Sequence, residues 1–215
     1  MTFLAIANFK SNKTAEEVTT WLKAVTPTPN MVVAPSFPHL SLCHCVTAAQ
    51  DVSPFPPGSY TGAVSAKVLK ELGVSYCIVG HSERRRYFHE TATDVAAKVR
   101  ELVEVDITPL ICMEQEQITS QFAVLDADLY DKCYFCFEPS GDIGGTVAAG
   151  DEEILIAKKQ IEYFVKDARF IYGGSVNRDN AAQLLKLRLS GFLIATASLD
   201  PDNYQDVLGI VSHAA

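Results

Sequence analysis

Three polar side chains stand just past short apolar runs, and their types suit proton transfer beside a carbonyl. Lys10 follows the run 3–7 and Asn8-Phe9. There a lysine can hold a fixed positive charge in a central cavity; taken alone it reads as a solvated surface lysine. His81 stands in Gly80-His81-Ser82-Glu83-Arg84-Arg85, directly before an expected helix start. The positive end of a helix dipole disfavours a charged imidazolium. A neutral imidazole can donate a hydrogen bond to a carbonyl oxygen and polarise it. Glu138 ends the apolar run 133–137. A carboxylate so placed is poorly solvated, which suits a general base; the plain alternative is a solvated loop glutamate. A fourth feature, Tyr172-Gly173-Gly174-Ser175-Val176-Asn177, puts glycines before a helix start, where backbone N–H groups can approach an anion closely. The loop 140–150 carries Gly141, Gly144, Gly145 and Gly150, a composition that suits a lid or an ordinary long surface loop. Singly these features are commonplace. A Lys, a His, a Glu and an anion loop at four strand ends are hard to obtain by chance.

The six cysteines invite a metal or redox reading and resist it. Cys133 and Cys136 form a CxxC, but they lie in a segment that reads as a strand. Residues three apart on a strand point to opposite faces and cannot share an ion. Cys43-His44-Cys45 has no second ligand pair nearby. The expectation is reduced, mostly buried thiols, with no metal and no cofactor.

The elements that position these residues alternate. Short apolar runs at 3–7, 31–34, 46–49, 77–79, 107–112, 133–137, 170–172 and 192–195 read as strands. Helices are predicted over 14–25, 65–72, 91–105, 114–125, 152–165, 177–187 and 202–211. In the first, Val18, Trp21, Leu22 and Val25 form the helical stripe, and Thr14 with Glu17 makes a capping box. The strands are apolar on both faces, as when helices cover a parallel sheet. Roughly eight strand–helix alternations suit an α/β fold closed as a (β/α)8 barrel, one domain over 1–215. An open doubly wound sheet lacks support, because no GxGxxG follows the first strand. In a barrel the chemistry sits at the C-terminal ends of the strands, where Lys10, His81, Glu138 and the glycine loop fall.

Composition bounds the rest. The chain has 215 residues, 48% hydrophobic and 20% charged, which excludes general disorder. Its formal net charge of −8 gives no general pull toward nucleic acid or an anionic membrane, so any anion must be bound by a local positive potential. No apolar run approaches the ~20 residues that span a bilayer. Residues 1–9 read as a strand and not as a signal peptide, so the expected location is the cytoplasm.

These stretches resemble the triosephosphate isomerase family in one order along nearly the whole chain. They are Ala7-Asn8-Phe9-Lys10, Tyr60-Thr61-Gly62-Ala63, Ile78-Val79-Gly80-His81-Ser82-Glu83-Arg84-Arg85, Phe137-Glu138-Pro139, Ile143-Gly144, Tyr172-Gly173-Gly174-Ser175-Val176 and Gly191-Phe192-Leu193. The resemblance implies a TIM barrel that interconverts dihydroxyacetone phosphate and glyceraldehyde 3-phosphate without a cofactor. The family is a standard example of tuned acid–base chemistry, and the roles are taken from it. Glu138 would be the base, His81 the neutral electrophile, and Lys10, with Asn8 beside it, the positive charge; Glu83 would hold Lys10 or a neighbour. The N–H groups of Gly144 and Ser175 would bind the phosphate, and a lid would keep water from the enediolate. Tyr60-Thr61-Gly62 resembles the tip of the family's dimer loop, which implies a homodimer.

Three departures stand out. The last phosphate loop of the family has Gly-Gly where this chain has Ala195-Thr196. If either residue needs φ > 0, the cost is about 1 kcal/mol or more. The expectation is that phosphate binding survives with the Thr196 hydroxyl donating, which an unchanged phosphate affinity in Thr196→Gly would contradict. Pro139-Ser140-Gly141-Asp142 replaces a bulkier lid hinge. The chain is also shorter than the usual ~250 residues of such a barrel, with much of the loss between Cys112 and Glu138, so a short fifth helix is expected. The competing reading is a barrel that binds a sugar phosphate, or serves as a scaffold, with little catalysis.

Overall fold

The computed structural model describes residues 3–139 and 148–214. Eight parallel strands form one sheet in the order β2-β1-β8-β7-β6-β5-β4-β3. They are β1 (Leu4–Asn8), β2 (Met31–Ala34), β3 (Ala48–Ala49), β4 (Tyr76–Val79), β5 (Thr108–Met113), β6 (Tyr134–Phe137), β7 (Phe170–Tyr172) and β8 (Gly191–Ile194). A bridge between Val33 and Thr47, with Val33 N–H donating to Val46 O at 3.0 Å, joins β2 to the segment entering β3 and closes the barrel.

Alternation along each strand divides the apolar residues into two layers. Leu4 and Ile6 of β1, Ile78 of β4, Leu110 and Cys112 of β5, Cys136 of β6, Ile171 and Leu193 fill the barrel interior. Ala5, Ala7, Val33, Val79, Ile111, Phe135, Phe137 and Phe192 face outward and pack beneath the helices. Both faces are therefore buried, which is why the strands read as continuous apolar runs. Cys133 packs in the outer layer and Cys136 in the inner one, so the CxxC is split across the sheet.

The helices are α1 (Ala15–Ala24), α2 (Ala66–Glu71), α3 (Ser82–Phe88), α4 (Ala92–Glu104), α5 (Ile118–Phe122), α6 (Asp151–Phe164), α7 (Ala181–Leu184) and α8 (Pro201–Ala214). The Thr14/Glu17 capping box is formed at the start of α1. Two expectations shift, and one element was not predicted. The predicted helix over 114–125 is a 3-10 turn, Gln115–Gln117, followed by the five residues of α5. The one over 177–187 begins only at Ala181 and ends as the 3-10 turn Leu185–Leu187, because the Asn177 side chain takes the N–H groups of Asp179 and Asn180. After β2 the chain makes a 3-10 helix, Phe37–Leu42, with a proline in its first turn. None of these changes the barrel or moves a strand end.

Candidate active site

The site residues are carried on strand ends. Asn8 closes β1, and Lys10 follows two residues later with φ 50°, in the left-handed region. An L-residue there costs roughly 1–2 kcal/mol, and four groups hold the turn. Lys10 N–H donates to Asn8 Oδ1 at 3.1 Å. Ser36 Oγ donates to Lys10 O at 3.1 Å, and Gln50 Nε2 donates to Lys10 O and Ala34 O, both at 2.8 Å. Glu83 takes the ammonium group, with Lys10 Nζ to Glu83 Oε1 at 2.7 Å.

His81 follows Gly80 after β4 and is the N-cap of α3. Its Nδ1 accepts from Glu83 N–H at 3.2 Å. A ring nitrogen that accepts carries no proton, so the cap selects the tautomer with hydrogen on Nε2. Nε2 lies 3.0 Å from Glu138 Oε1. Glu138 follows β6, is 4% exposed, and its Oε2 accepts from Ser82 N–H at 2.8 Å. The buried carboxylate is thus gripped by a ring N–H and a backbone N–H at the head of α3.

These groups line one cleft of about 320 Å³, a volume within the range of small-ligand sites. Asn8, Lys10, His81, Glu138, Ser175, Ala195 and Thr196 all border it. Glu83 does not, and reaches the cleft only through Lys10 and His81. Gly144 and most of the loop 140–150 lie outside the described residues. Just beyond, Ala149 N–H donates to the Tyr172 hydroxyl at 2.8 Å, tying the end of that loop to β7. Gly173 and Gly174 also line the cleft. A Cβ on Gly173 would come within 2.8 Å of Cys136 Sγ, and one on Gly174 within 2.2 Å of Tyr172 Oη, so neither position accepts a side chain as built.

Ala195 has φ −93°, and Thr196 is not among the residues with positive φ. The Ala-Thr pair therefore carries no left-handed penalty. Thr196 opens the 3-10 turn Thr196–Ser198, whose first N–H groups have no intrahelical acceptor and border the cleft.

Sequence reasoning missed Ser82, Ser36 and Gln50. Ser82 acts through its backbone N–H, at the first helical position after His81, which residue type does not announce. Gln50 is 40 residues from Lys10 and carries no local signal.

A (β/α)8 barrel with a carboxylate, an imidazole and a lysine converging at its C-terminal face defines an acid–base enzyme of small anionic substrates. The family model described as triosephosphate isomerase matches residues 3–212. The triosephosphate isomerase of Thermus thermophilus is 33% identical over 244 residues, covering 96% of this chain and 98% of that protein. That of Polynucleobacter asymbioticus is 32% identical over 244 residues, covering 94% and 96%. That of Mesomycoplasma hyopneumoniae is 31% identical over 239 residues, covering 95% and 98%. The chain belongs to the triosephosphate isomerase family and is an isomerase.

Proposed function

We propose that this chain interconverts dihydroxyacetone phosphate and D-glyceraldehyde 3-phosphate through an enediolate, using its own side chains and no cofactor. The observation that carries this is the convergence of Lys10, His81 and Glu138 on one cleft, with His81 fixed in the tautomer that donates from Nε2. A substrate carbonyl oxygen that takes the His81 N–H removes one of the two hydrogen bonds on Glu138 and frees its carboxylate. Glu138 then removes a proton from the carbon beside the carbonyl and returns it to the neighbouring carbon. The Lys10 ammonium offsets the negative charge of phosphate and enediolate. Backbone N–H groups of Ser175, of the Ala195-Thr196 turn and of Gly144 hold the phosphate. Closure of 140–150 keeps water from the enediolate, and the bond from Ala149 to Tyr172 seats the end of that segment.

A coupled assay of glyceraldehyde 3-phosphate conversion tests the reading. Fast turnover by the wild type should fall by about 10³-fold or more in Glu138→Ala. No turnover by the folded wild type would leave only a phosphate-binding barrel.

The chain works in the cytoplasm as a homodimer through the loop Tyr60-Thr61-Gly62. Tyr60 is 44% exposed and stacks on Phe55, itself 49% exposed, at a centroid distance of 4.6 Å, leaving an aromatic surface for a second copy. Among the described residues no helix is long and apolar enough to cross a membrane. Sedimentation at micromolar concentration should give twice the chain mass, and the monomer mass for Tyr60→Asp; a monomeric wild type would remove the dimer.

A further inference from the structure

The turn that follows β8 is gripped by side chains from the first loop and helix of the chain. Ser198 is fully buried, and its Oγ and its N–H donate to Ala195 O at 2.7 and 3.0 Å. Trp21 Nε1 donates to Ser198 O at 2.9 Å. Lys13, in the loop between β1 and α1, donates from Nζ to Leu199 O at 3.0 Å. These donors are packed together: Lys13 Nζ lies 5.5 Å from the centre of the Phe9 ring, and Phe9 meets Trp21 edge to face at 4.8 Å. A trans peptide points its C=O and the next N–H in opposite directions. Donors on Ala195 O and Leu199 O therefore fix the directions of the N–H groups of Thr196 and Asp200. Thr196 and Asp200 border the cleft, and Lys13 does not.

Charge at this turn needs the lysine as well. At the reacting end of the cleft, the Lys10 ammonium is already met by Glu83 at 2.7 Å. At the turn, Asp200 brings a carboxylate to the cleft edge. Its Oδ1 accepts from the N–H groups of Asp202 and Asn203, both at 2.9 Å, as a helix N-cap does. Those two N–H groups are thus taken, and the carboxylate itself repels a phosphate. Lys13 holds the carbonyl of the residue directly before Asp200. A charged donor grips a carbonyl more firmly than a neutral one, and its positive charge offsets the nearby carboxylate.

We propose that Lys13 is a positioning residue for the isomerase reaction, which fixes the turn 195–199 for phosphate and supplies positive charge behind it. This rests on the phosphate-binding role of that turn under the proposed function. Lys13 acts through the Leu199 peptide and does not touch the substrate. The phosphate takes no part in the proton transfer and keeps its charge throughout, so the turn holds it alike in the ground state and the transition state. Losing such uniform binding raises KM and leaves kcat in place. Lys13→Met keeps an unbranched apolar stem over Phe9 and removes the ammonium. Lys13→Arg keeps a cation with N–H donors.

Two measurements at one ionic strength test it: calorimetric titration with inorganic phosphate, and kcat and KM for glyceraldehyde 3-phosphate in the coupled assay. Lys13→Met should raise the phosphate dissociation constant and KM about fivefold or more, with kcat within about twofold of wild type. Lys13→Arg should keep all three within about twofold of wild type. Lys13→Gln, which removes the charge and keeps a polar chain, should behave as Lys13→Met and replaces it if that variant loses its circular dichroism. Unchanged phosphate affinity in the folded neutral variant, a fall in kcat alone, or failure of arginine to restore binding each overturn the proposal. So does a wild type that binds no phosphate. A wild type that binds phosphate without turnover, and loses that binding in Lys13→Met, removes the triose phosphate reading and keeps Lys13 at the phosphate turn.

Discussion

At the residue scale the candidate site includes a lysine whose backbone is held against its preference. Lys10 lies at φ 50°, and its carbonyl accepts from both Ser36 and Gln50. The left-handed backbone sets where the ammonium leaves the chain, and Glu83 fixes where it ends. Gln50→Leu keeps most of the volume but removes two donated bonds, and leaves Lys10 O and Ala34 O each short of a partner. Each carbonyl keeps its other donor, Ser36 Oγ on Lys10 O and Phe9 N–H on Ala34 O, so the change costs only the net worth of the lost bonds, about 0.5–1.5 kcal/mol each, enough to let Lys10 relax toward negative φ. We expect kcat/KM to fall about tenfold, a change equivalent to ~1.4 kcal/mol of lost transition-state stabilisation, in a protein that keeps its far-ultraviolet circular dichroism. Steady-state kinetics on the purified variant decide it; unchanged kcat/KM would mean that Asn8 and Ser36 suffice. Lys10, His81 and Glu138 were legible in the sequence because each follows a strand, where the barrel puts chemistry. Gln50, Ser36 and Ser82 were not, since one acts across 40 residues, one donates to a distant carbonyl and one works through its peptide N–H.

At the element scale, the longer helices were read within a few residues of their ends, with or without a side-chain cap: the one predicted over 152–165 appears as α6 although Gly150 gives it no side-chain cap. The helix over 91–105 appears as α4, opened by Thr91, which accepts from Asp94 N–H at 3.1 Å while Asp94 Oδ2 takes Thr91 N–H at 2.9 Å. Where a side chain competes for backbone donors the pattern misleads: Asn177 delays α7. The α4 cap also carries an ionic cluster. Lys98, on the same helix, binds Asp51 at 2.6 Å and Glu90, and Arg84 reaches Asp51 at 2.8 Å. Thr91→Ala should cost about 1 kcal/mol, the usual worth of such a cap, seen as a lower urea midpoint with turnover retained. Bonds from the Thr91 hydroxyl and N–H hold the Asp94 carboxyl below its ordinary 3.8. The contribution of the cap is therefore present above that pH and is lost as pH falls through the lowered value. An unchanged midpoint at neutral pH would mean that packing alone orders α4.

At the scale of the whole molecule, two concentric apolar layers enclose four thiols and so set an alkaline limit on stability. Cys112 and Cys136 lie inside the barrel, and Cys77 and Cys133 between strands and helices. Desolvation is the leading cause for each. It lifts Cys133 from 9.0 to about 12, Cys77 and Cys112 well above 9.0, and Cys136 above 9.0. In the unfolded chain a thiol ionises near pH ~8.5. Between that value and the raised one, the folded protein binds more protons than the unfolded one, so stability falls as pH rises. Below about pH 8 both states hold these protons and the effect vanishes. Once the unfolded chain is ionised, each buried thiol removes up to ~1.4 kcal/mol per pH unit. Four together can exhaust a typical stability of ~5–15 kcal/mol within a few units. The urea midpoint should therefore hold steady from pH 6 to about pH 8 and drop steeply beyond pH ~9. Cys133→Ala, which lowers the neutral-pH midpoint somewhat by leaving a small void, should flatten the alkaline slope by ~1.4 kcal/mol per unit. A slope identical in wild type and variant would assign the alkaline loss to groups other than this thiol.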